Sequence, residues 1–125
     1  MPTAIRIRRI YDLSVKEDGY RVLVDRLWPR GIKKEAGAFD EWAKDLAPSA
    51  DLRKWFDHDP EHWPEFQKRY REELKANEAV KEFVKAHAGK KTITLLYAAK
   101  SEEYNHAIIL QEYLRSGFKT ADSHK

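Results

Sequence analysis

Arg26, Trp28, Arg30 and Lys33 follow directly on the apolar run Val22-Leu23-Val24. The run reads as a buried strand. Pro29 has no amide donor and fixes its own φ, so the strand has to end near Trp28. The turn itself needs only Pro29 and Gly31, which leaves the guanidinium groups unexplained. Their forked donors match two oxygens of a phosphate or carboxylate. An indole beside them can stack on a planar group, or simply belong to the core. Arg26, Arg30 and Lys33, with Lys34, are therefore candidates to hold an anion at the C-terminal end of a strand, where open α/β sheets bind their ligands. Trp28 is a candidate to contact its planar part.

The stretch Asp57-His58-Asp59-Pro60-Glu61-His62 offers other chemistry. A carboxylate sets the tautomer and pKa of a neighbouring imidazole, so His58 and Asp57 are candidates for acid and base. A capping role at a helix junction is the alternative. His58 and His62 have the spacing of two zinc ligands on one helical face. Pro60 lies between them and a helix start is expected there, so that shared face is broken. No third ligand follows, and no metal is assigned.

A third group is Tyr97-Ala98-Ala99-Lys100-Ser101 with Asn105 and His106. A buried strand passes there into a helix N-terminus, whose free N–H groups suit an anion. There is no glycine-rich loop, so neither a dinucleotide fingerprint nor a P-loop is present, and no cofactor is assigned. Tyr97, Asn105 and His106 are candidates to face a ligand. Arg53 joins them if its helix packs over the same end of the sheet. Arg6, Arg8 and Arg9 form a separate basic face, which suits nucleic acid or equally a solvated edge strand protected from pairing.

The elements that must position these residues are legible from period and caps. Ile5 and Ile7 alternate with Arg6 and Arg8 as in a strand, and Asp18-Gly19 marks a turn before the strand Tyr20 to Asp25. Whether the two strands form a wide hairpin or a short crossover is open. Phe39, Trp42 and Leu46 predict a short helix from Phe39 to Leu46. Ser49 caps the next helix, through Phe56. The stripe Trp63, Phe66, Tyr70 and Leu74 predicts a long helix beginning near Trp63-Pro64. Asn77 starts another, which ends at Gly89. Thr92 to Ala98 is a central strand buried on both faces. Ser101 is expected to cap a last helix from Glu102 to Ser116, closed by Gly117. Trp42, Trp55, Trp63, Phe66 and Tyr70 are read mainly as core.

The expected fold is α/β: a small, three-layer-like domain with a short, mostly parallel or mixed sheet of about three strands covered by about five helices. One domain spans 1–118, and 119–125 is a polar, frayed tail. The 125 residues carry a net charge of only +3, so an anion reading has to rest on local clustering. The chain has no cysteine, which excludes disulfides and thiolate catalysis and fits a reducing cytoplasm. No apolar run approaches a membrane span or a signal core, so no membrane partner is expected.

The motifs Arg9-Ile10-Tyr11-Asp12, Val24-Asp25-Arg26-Leu27-Trp28-Pro29-Arg30-Gly31, Ala47-Pro48-Ser49, Leu52-Arg53, Trp55-Phe56-Asp57-His58-Asp59-Pro60, Arg69-Tyr70 and Thr94-Leu95-Leu96-Tyr97-Ala98-Ala99 occur together. In combination they resemble the YeaO-like branch of the bacterial DUF488 (domain of unknown function) family, over about Ile5 to Leu114. The resemblance implies an α/β fold and no named activity. Relatives outside this branch carry a cysteine-histidine-arginine triplet after the last strand. The matching stretch here is Tyr104-Asn105-His106, so chemistry that depends on that cysteine is not expected.

Two classes of function follow from these readings. One is a cytoplasmic protein with an arginine-rich cleft for a phosphate-bearing or other anionic ligand, a nucleotide or nucleic acid, with acid-base catalysis as an open addition. The other is a non-catalytic protein- or nucleic-acid-interaction module using a basic surface. Oligomeric state is open in both.

Overall fold

The apolar run Thr92–Tyr97 becomes the central strand, with five of its six residues buried. In chain order the strands are β1 (Ala4–Arg9), β2 (Tyr20–Leu23), β3 (Glu41–Trp42) and β4 (Thr92–Tyr97). Their order in the sheet is β1-β4-β2-β3, and every pair is parallel. This computed structural model describes residues 3–33 and 38–123, with side chains to 119. Because β4 lies between β1 and β2, the segment joining those two is a crossover, not a hairpin. Ile7 sits opposite Leu95 on one side of β4, and Val22 opposite Leu95 on the other.

Alternation along the strands sorts side chains onto two unlike faces. Ile5, Val22, Val24, Ile93, Leu95 and Tyr97 share a core with all four α-helices. These are α1 (Ala50–Phe56), α2 (Trp63–Ala76), α3 (Glu78–His87) and α4 (His106–Ser123). Their fully buried anchors include Phe66, Tyr70, Leu110 and Phe118. Each such side chain contributes about 1.5–3 kcal/mol by leaving water, before conformational entropy is subtracted.

The third layer, expected from helices, is supplied on the other face by loop residues. Ile10, Leu23 and Leu96 are covered by Ile32, Phe39 and Trp42. Trp28 joins them, with its ring 5.3 Å from those of both Phe39 and Trp42. Both indole N–H groups are satisfied by carbonyls, Trp28 Nε1 by Ile32 at 2.6 Å and Trp42 Nε1 by Asp25 at 2.8 Å. The N-terminal half of this face is ionic. Asp18 has no exposed surface and accepts from Arg8, from Arg21 and from the Val15 amide. Burial alone would push its carboxyl up. Those donors outweigh burial and hold it below the usual carboxylate range.

Several local expectations hold. Ser49 Oγ accepts from the Leu52 amide at 3.2 Å, and Asn77 Oδ1 from the Ala79 amide at 3.0 Å. Pro60–His62 forms a single 3₁₀ turn, so α2 starts at Trp63.

Three expectations are corrected. Phe39 to Leu46 is not a helix but β3 followed by a 3₁₀ turn at Lys44–Leu46. The Asp40 amide donates to the Arg21 carbonyl and the Ala43 amide to the Leu23 carbonyl, both at 2.8 Å. Those ladder bonds to β2 replace the helical ones. The last helix begins at His106, not Glu102, and is capped by Asn105, whose Oδ1 accepts from the Ile108 amide at 3.2 Å. Ser101 caps only the turn before it, accepting from the Tyr104 amide at 2.9 Å. Nor does Gly117 end α4. The helix continues to Ser123 and includes the fully buried Phe118, so residues 119–123 extend it. Gly117 instead lets α4 approach α3, since a Cβ there would stand 3.3 Å from Val84 Cγ2.

Candidate functional site at the C-terminal end of the sheet

Val24 still donates to the Leu96 carbonyl at 3.0 Å, and Asp25 is the first residue past the end of that ladder. Asp25 Oδ2 accepts from the Ala98 amide at 2.9 Å, beyond the end of β4. Its other oxygen, Oδ1, lies 3.5 Å from His106 Nε2, on the first residue of α4. That same nitrogen is 2.9 Å from the Val24 carbonyl. A carbonyl only accepts, so His106 carries its proton on Nε2, and Nδ1 is the lone-pair nitrogen.

Burial dominates the electrostatics of this pair. It pushes Asp25 up, against the opposing pull of His106, the Ala98 amide and Arg53. It pushes His106 down, with Arg53 acting in the same direction and the Asp25 charge against it. His106 is thereby held neutral at neutral pH. The Tyr70 ring stands edge-on to the imidazole at 6.1 Å, and its hydroxyl donates to the Leu46 carbonyl.

The structure distributes the sequence candidates around and away from this pair. Arg53, exposed on α1, is close enough for its charge to act on both partners. Arg26 is half-buried and donates Nε to the Pro48 carbonyl at 3.2 Å. Arg30 and Lys33 are exposed on the following loop, and the Arg30 carbonyl accepts from Tyr11 Oη at 2.9 Å. Gly31 turns that loop with a φ of 81°, a conformation that favours glycine. Lys34 lies outside the described residues.

Trp28 packs on the loop-covered face. Tyr97 is buried at the end of β4, within the field of Glu102, Arg9 and Asp12. Asn105 is buried and occupied twice, as the α4 cap and as a donor to the Ser101 carbonyl at 3.0 Å. Asp57 and His58 sit at the C-terminal end of α1, both exposed, with φ values of 44° and 55°. The Asp57 amide donates to the Arg53 carbonyl, and the His58 ring lies 6.3 Å from that of Phe56. The carboxylate and imidazole that the fold brings together are thus Asp25 and His106.

Asp25 is a site residue that the sequence does not single out, because Arg26 beside it carries the more specific anion-binding chemistry. The available signal is an ionisable residue placed directly after the apolar run Val22-Leu23-Val24.

The basic face of β1 is turned to internal use. Arg6 donates to the Glu17 carbonyl at 2.8 Å, and Arg8 holds Asp18. Arg9 donates to the carbonyls of Ala99 at 3.1 Å and Ala98 at 3.3 Å, bracing the loop that also holds Asp25. Two depressions lie elsewhere, one of about 530 Å³ beside Trp55, Arg69 and Glu73, and one of about 510 Å³ beside Leu74, Val84 and Tyr113. Neither is lined by Asp25 or His106. Among the described residues no group of three or more histidine or acidic side chains could hold a metal ion. None of the described helices is long and apolar enough to cross a membrane.

A parallel sheet with helices on one face, and with ionisable groups collected where its strands end, defines a small α/β protein of a recognisable kind. The chain belongs to the DUF488 family: the family model described as the inactive DUF488-N3 subclade matches residues 4–125. It is 46% identical over 112 residues to the uncharacterized protein YeaO of Escherichia coli, covering 90% of this chain and 97% of that one. It is 41% identical over 112 residues to the uncharacterized protein Rv3073c of Mycobacterium tuberculosis, covering 90% and 94%. No solved structure matches it.

Proposed function

We propose that this protein is a non-catalytic binder of a phosphate-bearing ligand, a nucleotide or an exposed end of a nucleic acid, held at the C-terminal end of the sheet. The observation that carries the reading is the Asp25–His106 pair lying within the field of Arg53. Ionisable groups kept together at the C-terminal end of strands in an α/β sheet stand where such sheets bind their ligands. Arg53 is the leading anion contact, because it is exposed and next to the pair. Arg26, Arg30 and Lys33 add positive charge on the neighbouring turn.

Binding is favoured over catalysis by the residues themselves. The chain has no thiol nucleophile. His106 commits Nε2 to a backbone carbonyl, which leaves Nδ1 as the nitrogen open to a ligand. The subclade's description as inactive points the same way. The absence of cysteine supports a reducing, cytoplasmic setting. The basic-surface alternative is less well supported, since Arg6, Arg8 and Arg9 each hydrogen-bond within the fold.

The test is a thermal-shift series against nucleotides, sugar phosphates and short oligonucleotides, with Arg53→Ala and Arg26→Ala alongside. A ligand that binds only the folded chain raises the melting temperature by mass action. A rise with one phosphate class, lost in Arg53→Ala, is expected. Folded variants and no rise with any compound would overturn the reading.

A further inference from the structure

The site contains a conflict. Asp25 Oδ1 receives no hydrogen bond from the described residues, and neither does His106 Nδ1. Both are acceptors while the carboxyl is ionised and the imidazole neutral. An anion drawn in by Arg53 would therefore meet two lone pairs and a negative charge. One proton from solvent, placed on the pair, turns an acceptor into a donor and removes a unit of repulsion.

We propose that ligand binding at this site is coupled to proton uptake by the Asp25–His106 pair, so that the site binds anions more tightly as the pH falls. This inference rests on the reading of the strand end as an anion site. The groups against the imidazole are Asp25 and the Val24 carbonyl from the end of β2 and Tyr70 from α2, and the charge of Arg53 on α1 reaches it. Tyr70 is buried with its hydroxyl committed to Leu46, and it stays protonated. Arg53 keeps its charge at any working pH. The pair is thus the part of this surrounding that can take up a proton as the pH falls. Asp25 and His106 share the proton as a unit, so the titration belongs to the pair. Burial disposes the two partners oppositely, Asp25 toward holding a proton and His106 toward losing one.

The experiment is an NMR titration of the full chain between acid and neutral pH, following the imidazole signals. His106→Gln assigns the His106 signals. Two probes are used, sulfate and a dinucleotide phosphodiester, because neither titrates near neutrality. Without a probe, His106 should show the Nε2–H tautomer and titrate below the ordinary imidazole value of about 6.5. A saturating probe should raise its midpoint by about one pH unit, the size of a neighbouring-charge effect. Arg53→Gln should raise the midpoint of the free protein and abolish the response to the probe. A response to the dinucleotide alone would assign the site to nucleotides, and a response to both to the anion itself. Movement of the Arg53 signals with no change in the His106 midpoint would overturn proton coupling and leave the anion site standing. Silence of every signal near the strand end would overturn the anion site, and the coupling with it.

Discussion

Arg8 places one guanidinium nitrogen 3.0 Å from each carboxylate oxygen of Asp18, and Asp18 has no exposed surface. Arg8 stands on the edge strand β1 and Arg21 on β2, so a single carboxylate ties two strands together across β4. The Thr94 hydroxyl of β4 donates to the Asp18 carbonyl at 2.7 Å. This half of the sheet face is held by charge, where the other half is held by Trp28, Phe39 and Trp42.

Removing Asp18 should therefore unfold the chain more readily than any surface change. Asp18→Ala leaves Arg8 and Arg21 facing each other without a counter-charge. The expected loss is about 3–5 kcal/mol, the range for breaking one side of a buried pair. Urea denaturation measures it. The pH sign follows from the lowered carboxyl. Its stabilisation is present above the unfolded value of about 3.9 and is lost as pH falls through the lower folded value. The variant should accordingly lose less stability than the parent between about pH 4 and pH 2.

His106 has the opposite charge type and the same pH sign. Its folded pKa lies below the unfolded value of about 6.5, so the unfolded chain takes up the proton first on acidification. Stability contributed by neutral His106 is whole above that value and declines as pH falls from it toward the folded value. His106→Gln should flatten this acid limb. Melting temperatures of parent and variant from pH 7.5 to 5 should converge as the pH drops. Parallel curves would show that His106 is not held neutral by the fold.

Gly19 is required by its backbone and by its neighbour. Its φ is 64°, and a Cβ would run into the Thr92 carbonyl oxygen and stand 2.9 Å from Thr92 Cβ. Thr92 opens the central strand, which cannot retreat without disturbing both of its partners. Gly19→Ala should cost more than the roughly 1–3 kcal/mol of an unfavourable backbone conformation alone. Its denaturation midpoint in guanidinium should fall accordingly, with the slope unchanged.

Trp28 distinguishes packing from ligand stacking. Its indole fills the loop-covered face and donates to the Ile32 carbonyl at 2.6 Å. Trp28→Ala should lower stability by about 3–5 kcal/mol, as large-to-small core changes do. Trp28→Phe keeps an aromatic body and loses the donor, and should recover most of that loss. If Trp28→Leu, which has no aromatic face, stays folded and binds phosphate compounds as the parent does, the tryptophan belongs to the fold alone.

The elements that a few neighbouring residues specify were readable in one dimension. Ser49 and Asn77 cap helices through amides three and two positions ahead, respectively. The run Thr92–Tyr97 declares a strand buried on both faces, and Pro29 with Gly31 declares a turn. Misreading began where the partner is remote. Phe39, Trp42 and Leu46 have helical spacing, yet β2 takes the amides of Asp40 and Ala43 into a sheet ladder. Gly117 looks like a helix stop until Val84 of α3 is seen beside it.

By itself the sequence determined the α/β class, most of the caps, and the gathering of arginines after the second strand, because each depends on local period, backbone freedom or side-chain chemistry. Only the tertiary structure decided that all four strands run parallel with β4 between β1 and β2. That order in turn chose His106, and not His58, as the imidazole that meets a carboxylate. Residues on β2, β4 and α4 become neighbours through strand pairing and helix packing, and those contacts are settled by burial across the whole core, which no local spacing encodes.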